Sequence, residues 1–223
     1  MTIGQDTVVL VHGLWVHGIA MELMRRRVAR CGYRALAYSY PSMRLTLVEN
    51  AERLARFCRD IAAPRLHFVG HSLGGLIILR TLARAPGLPP GRVVLTGAPV
   101  AGSLAARRLA RLPGGRVALG RSAPEWHETA HSGYDTGREI GVIAGRLPLG
   151  IGRLVAPDLP APSDGVVSVA ETRLPAMRDH IVLNVNHSGM LVSRAVARQI
   201  CAFLRDGKFV HAMEPQINAD RRG

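Results

Sequence analysis

Short runs of β-branched and aliphatic residues alternate along this chain with longer stretches whose apolar positions recur every three or four residues. "TVVLVHG" (7–13) reads as a buried strand entering a glycine turn. "YRALAYSY" (33–40) is a second strand, stopped by Pro41. Leu47, Ala51, Leu54, Ala55, Cys58, Ile61 and Ala62 then repeat at helical spacing, with Glu49, Glu52, Arg53, Arg56 and Arg59 on the other face. That pattern predicts a helix covering a sheet. "RLHFVGH" (65–71) is the third strand, and "LGGLIILRTLARAP" is a mostly apolar helix ended by Pro86. "RVVLTGAP" (92–99), "IGVIAG" (140–145) and "HIVLNVNH" (180–187) supply three more strands. Val192, Val196, Ile200, Phe203 and Leu204 make a final amphipathic helix. Strands alternating with helices in this way are the signature of an α/β fold on a mostly parallel sheet.

Residues 1–205 read as a single domain followed by a polar tail, 206–223. Residues 101–139 hold two Gly/Pro interruptions and no clear strand, so they read as a cap or pocket wall inserted in that domain.

Bulk numbers change this picture little. A chain of 223 residues, 48% hydrophobic and 20% charged, is globular and long enough to bury a substantial core. Its net charge of +13 comes almost wholly from arginine, because Lys208 is the only lysine. The arginines are dispersed and aromatic residues make up 4%, so no base-stacking platform and no nucleic-acid partner is expected. A solvated basic face with transient contact to anionic membranes remains compatible with that charge. Cys31, Cys58 and Cys201 form no C-x-x-C pair and fall in separate predicted helices, which suits reduced, buried thiols and neither a disulfide framework nor a zinc site. No charged n-region with an apolar stretch opens the chain and no run reaches membrane-spanning length, so the expected location is cytoplasmic.

The chemistry centres on Gly70-His71-Ser72-Leu73-Gly74, a G-x-S-x-G pentapeptide between a predicted strand and a predicted helix. A sharp turn there holds the serine hydroxyl out at the carboxyl end of the sheet, and the flanking glycines avoid clashes. A serine needs a base, and the base needs an acid to fix its tautomer. In this kind of fold the order is Ser, acid, His, each after a later strand. Among nine histidines, His187 closes the last predicted strand on the same edge as Ser72, whereas His180 begins that strand at the other end. His12, His67 and His71 lie in or beside earlier strands, and His127, His131 and His211 have no strand end to place them. For the acid, Asp164 in "APSDGVVSVAE" precedes the His187 strand and is preferred to Asp158, between prolines, and to Asp179, on the wrong edge. The oxyanion donors would be the backbone N–H of Leu73 and that of Leu14 in "HGLW". Trp15 and Trp126 are candidates for a pocket wall or for the core.

"VVLVHGLW", "FVGHSLGG", "VVLTGAPVAGS", "SDGVVSV" and "NHSGM" together resemble the α/β-hydrolase superfamily, in particular small bacterial lipase- and esterase-like members. The resemblance runs from about Val8 to Leu204. It implies a three-layer α/β fold with about six strands, helices on both faces and a short cap segment. It also implies a Ser72–Asp164–His187 triad, an oxyanion hole at Leu14 and Leu73, no cofactor and no metal. Related lipases often carry Thr-Pro-His-x-Gly where this chain has "GAPVAGS", with Val100 in the histidine's place. The expected activity is hydrolysis of a small-molecule or lipid carboxylic ester. An acyltransferase using the same triad and a non-catalytic binding module on the same shell are the alternatives.

Overall fold

The structure is a computed structural model that describes residues 4–126 and 136–211. Six strands, β1 (Thr7–Val11), β2 (Arg34–Tyr38), β3 (Leu66–His71), β4 (Val93–Thr96), β5 (Ile140–Gly145) and β6 (Met177–Leu183), form one parallel sheet in the order β2-β1-β3-β4-β5-β6. Parallel strands are apolar on both faces because each face is covered by helices. Along β1, Val9 and Val11 enter one core while Val8 and Leu10 enter the other. Phe68, Leu95 and Val142 continue the first core under α2 (Leu47–Arg59) and α3 (Leu73–Arg84). Val69, Val94 and Ile143 continue the second under α1 (Glu22–Ala29) and the helix Arg194–Asp206. Helices therefore lie on both faces, as expected.

Local chemistry sets the helix ends. Thr46 accepts from the Glu49 N–H and the Glu49 carboxylate accepts from the Thr46 N–H, a capping box that starts α2. Two short helices, α4 (Leu104–Leu109) and α5 (Gly115–Leu119), follow β4. A third, α6 (Gly152–Val155), follows β5, so Arg194–Asp206 is α7. The cap expected over 101–139 is helical in this part, while residues 127–135, with the candidates His127 and His131, lie outside the described residues.

The last strand and the cysteines depart from expectation. β6 lies earlier than 180–187, so His180 is inside the strand and His187 lies four residues past its end. The apolar alternation of Ile181 and Leu183 was legible, but the chain turns off the sheet before "NVNH". Packing also continues past Asp206: Phe209 is buried against Phe203, and its N–H donates to Asp179. The expected polar tail is thus part of the fold through residue 211, and residues 212–223 lie outside the described residues.

Cys31, in the turn after α1, is disulfide-bonded to Cys201 in α7, which corrects the reading of three reduced thiols. The partners are 170 residues apart in sequence, and packing of α1 on α7 is what brings them together. Disulfides persist in oxidising compartments, so these cysteines speak against the cytoplasmic expectation. Cys58 is the buried thiol that the sequence suggested, and burial pushes it up to about 12. Among the described residues, no helix is long and apolar enough to cross a membrane.

Candidate active site

The chain runs from β1 outward to β2 and then crosses back to β3, so the order of strands reverses between β1 and β3. A crevice opens outside the carboxyl ends of strands at such a switch point. The turns that leave β1 and β3 carry His12-Gly13-Leu14-Trp15 and Ser72.

Ser72 has φ 52° and ψ −123°, a conformation strained for any residue with a side chain, and it sits directly between β3 and α3. Its N–H donates to Thr96 O (3.0 Å), which fixes the turn to β4. Gly74 is required by close approach: a Cβ there would lie 2.3 Å from Val11 O. Gly13 meets the serine from the other side, since a Cβ on it would lie 3.1 Å from Ser72 Cβ. Leu73 is the first residue of α3, so its N–H belongs to the first turn, where amides have no intrahelical acceptor.

Asp164 and His187 are brought together. Asp164 is buried, and its Oδ1 accepts from the N–H groups of Val166 (2.9 Å) and Val167 (2.7 Å). Its Oδ2 lies 2.7 Å from His187 Nδ1, and the His187 N–H donates to the Asp164 carbonyl (3.0 Å). A carboxylate can only accept, so Nδ1 carries a hydrogen, which in the neutral imidazole leaves the lone pair on Nε2. The turn at Gly165, with φ +92°, holds the acid in this position.

Ser72 Oγ makes no hydrogen bond to His187 among the described residues. The imidazole reaches the elbow beside His71, whose ring centre lies 4.7 Å from that of His187. His71 Nδ1 faces Thr96 Oγ1 (3.3 Å), and complete burial holds its pKa well below the usual histidine value. The ring next to His187 is therefore neutral.

Two supports were not found from sequence. Gly97, at the end of β4 with φ +57°, lies flat against the acid–imidazole pair: a Cβ would sit 3.0 Å from Asp164 Oδ2 and 3.1 Å from His187 Nδ1. His12 braces the β1 turn. Its Nδ1 donates to Gly13 O (2.8 Å), its Nε2 accepts from the Tyr40 N–H, and its carbonyl accepts from the Tyr40 hydroxyl (2.8 Å). Burial lowers its pKa, so it too stays neutral. The only sequence signal for either was the motif they belong to, "VHG" and "TGAP".

The competing candidates are accounted for. Asp158 is exposed and paired with Arg108, and Asp179 is bonded to the N–H groups of His180 and Phe209 and to His211. His180 faces Thr172 Oγ1, and His67 Nδ1 accepts from the Arg92 N–H. Trp15 is partly exposed with φ 62°, and its indole donates to Ala118 O in α5 (2.6 Å). It lines a cavity of about 540 Å³ with His17, Tyr40, Pro41, Met43 and Arg44, beside the turn that carries Leu14. Trp126 is buried. No group of three or more metal-ligating side chains occurs among the described residues.

A family model described as the alpha/beta hydrolase family matches residues 8–214. No curated protein matches the chain by sequence. Among solved structures, the mature form of the lipase BlEst2 of Bacillus licheniformis is similar at 18% identity, covering 91% of each chain with a TM-score of 0.74. A monoacylglycerol lipase of Paleococcus ferrophilus is similar at 17% identity over 91% of this chain and 96% of its own, TM-score 0.63. The metagenomic carboxyl esterase MGS0156 is 20% identical over 84% of this chain and 65% of its own, TM-score 0.63. At these identities the likeness speaks for the fold.

Proposed function

This chain belongs to the alpha/beta hydrolase family, and on that premise we propose that it hydrolyses carboxylic esters through Ser72, His187 and Asp164. The observation that carries the reading is the buried Asp164–His187 pair, 2.7 Å apart, set against a strained serine turn. With Nδ1–H held by Asp164, the Nε2 lone pair of His187 takes the proton of Ser72 Oγ as the oxygen attacks the ester carbonyl. The N–H groups of Leu73 and Leu14 receive the oxyanion, each donor worth about 2.7–4 kcal/mol of barrier. The imidazolium, stabilised by Asp164, returns the proton to the leaving alcohol. Water then attacks the acyl-enzyme by the same route in reverse. Neither step calls for a metal or an organic cofactor.

The proposed substrate is a small-molecule or lipid ester, and the cavity beside Trp15 adjoins the turn that carries Leu14. The test is turnover of p-nitrophenyl esters of increasing chain length by the wild type and by Ser72→Ala. The substitution is expected to cut kcat by about 10⁴-fold or more while the circular dichroism spectrum stays unchanged. Undiminished turnover by Ser72→Ala would overturn the proposal.

A further inference from the structure

The apolar side chains that folding leaves in water are not all scattered. Of the eleven large ones that are exposed among the described residues, five, Leu112, Val117, Leu149, Ile151 and Leu154, lie on the segments that follow β4 and β5. Val117 on α5 is 79% exposed and Leu154 on α6 is 83% exposed, with Ile151 and Leu112 close to them in sequence. These segments form one surface. α4 packs on both α5 and α6, with Ala105 against Ala156 and Leu159. α5 is tied through Ala118 to Trp15, in the turn that carries Leu14.

Charge on this surface is predominantly positive, with Asp158 beside α6 paired to Arg108. Residues 104–121 and 146–155 contain seven arginines and no aspartate or glutamate. All seven are exposed, and among the described residues only Arg108 has an ion-pair partner, Asp158. A merely solvated face has no use for Val117, Ile151 and Leu154, and a core-forming contact has no use for the arginines between them. Exposed aliphatic side chains set among unpaired cations match the headgroup and acyl boundary of a bilayer with negative lipids. A nucleic acid would call for stacking aromatics, and among the described residues Trp15 is the one exposed Trp, Tyr or Phe beside these segments.

We infer that this basic, apolar rim seats the protein on an anionic lipid surface, with the carboxyl edge of the sheet turned toward the bilayer. The ester it hydrolyses would then be one that resides in the lipid; that last step rests on the hydrolase reading, whereas the docking does not.

The test is sedimentation of the full chain with vesicles of phosphatidylcholine alone and of an equimolar mixture with phosphatidylglycerol. The wild type is expected to partition at least about tenfold more strongly onto the mixed vesicles, with the gain lost as salt is raised past the Debye screening regime. The charge-neutral pair Val117→Ser and Leu154→Ser is expected to weaken that partitioning about tenfold while soluble p-nitrophenyl acetate is turned over as before. No preference for anionic vesicles, or a preference indifferent to both serines, would overturn the inference. So would a wild-type dimer, seen by light scattering, that the same serines dissolve without any effect on vesicles. Vesicle binding by a protein that neither turns over esters nor takes a fluorophosphonate would leave the docking standing and remove the hydrolase reading instead.

Discussion

The two ends of the same sheet use polar side chains in opposite ways. At the amino edge, Arg138 donates to the carbonyls of Leu66 (2.7 Å), Leu88 and Pro89, and its guanidinium lies over Phe68. Arg92 beside it donates to Glu139 and to the carbonyls of Leu204 and Arg205. The cavity there, of about 710 Å³, is larger than the one beside Trp15, yet the Arg92 and Arg138 guanidiniums that line it already hold carbonyl and carboxylate oxygens. At the carboxyl edge the imidazole of His187 is held on Nδ1 by Asp164, and among the described residues no hydrogen bond engages its Nε2. In the proposed hydrolysis that second nitrogen takes up the serine proton, whereas the satisfied polar groups of the amino edge close the fold. Cavity size separates the two edges less well than this does.

The largest expected effect comes from disturbing the carboxyl edge. Asp164→Asn leaves the loop donors in place but no longer requires Nδ1 to carry the hydrogen. Ester turnover should fall about 10³–10⁴-fold, with the melting temperature changed far less than the rate. Turnover within a factor of a few of wild type would place the acid elsewhere.

Changes toward the amino edge should do the reverse. Cys31 lies in the turn just before β2, and replacing Cys31 and Cys201 by serine releases a link across a long loop. A loss of about 2–4 kcal/mol is expected, seen as a Tm lower by roughly 5–10 °C with kcat unaltered. Non-reducing peptide mapping should find the Cys31–Cys201 peptide pair. Arg138→Met keeps the stem over Phe68 and orphans the carbonyls that the guanidinium holds. It should cost about 2 kcal/mol and leave ester turnover as it was. A large fall in turnover with Arg138→Met would erase the contrast between the edges.

The smallest effect is shared by both edges. Burial lowers His67 from its usual value to about 4, and lowers His12 and His71 in the same direction. The unfolded chain therefore binds more protons than the native one between about pH 6.5 and 4. Stability from these groups is fully present above about pH 6.5 and is lost as the pH falls toward 4. A Tm lower by a few degrees at pH 5 than at pH 7 is expected, and His67→Gln should flatten part of that slope.

Much of this was legible in the sequence, for identifiable reasons. The strands showed because both faces of a parallel sheet are buried, so "TVVLV" and "IGVIAG" read as continuous apolar runs. Ser72 showed because its turn needs glycines at fixed offsets. His187 was placed on the right edge although β6 ends four residues earlier, because the segment between still leads away from the carboxyl end. The disulfide was not legible, since its halves meet only through packing of α1 on α7. Gly97 and His12 were hidden for a similar reason: their roles are contacts with side chains from distant strands. The exposed rim was also hidden. Nothing in the sequence separates Leu149, Ile151 and Leu154 from buried aliphatic residues, and only the fold shows them facing water.

The proposed hydrolysis stands or falls with Ser72 as a nucleophile activated by His187. The most direct measurement is fluorophosphonate labelling of the folded wild type and of His187→Ala, followed by peptide mass mapping. Label is expected on Ser72 alone in the wild type, slowed at least about a thousandfold in the variant. Absence of label from folded wild-type protein, or label on Ser72 at equal rates with and without the imidazole, would contradict it.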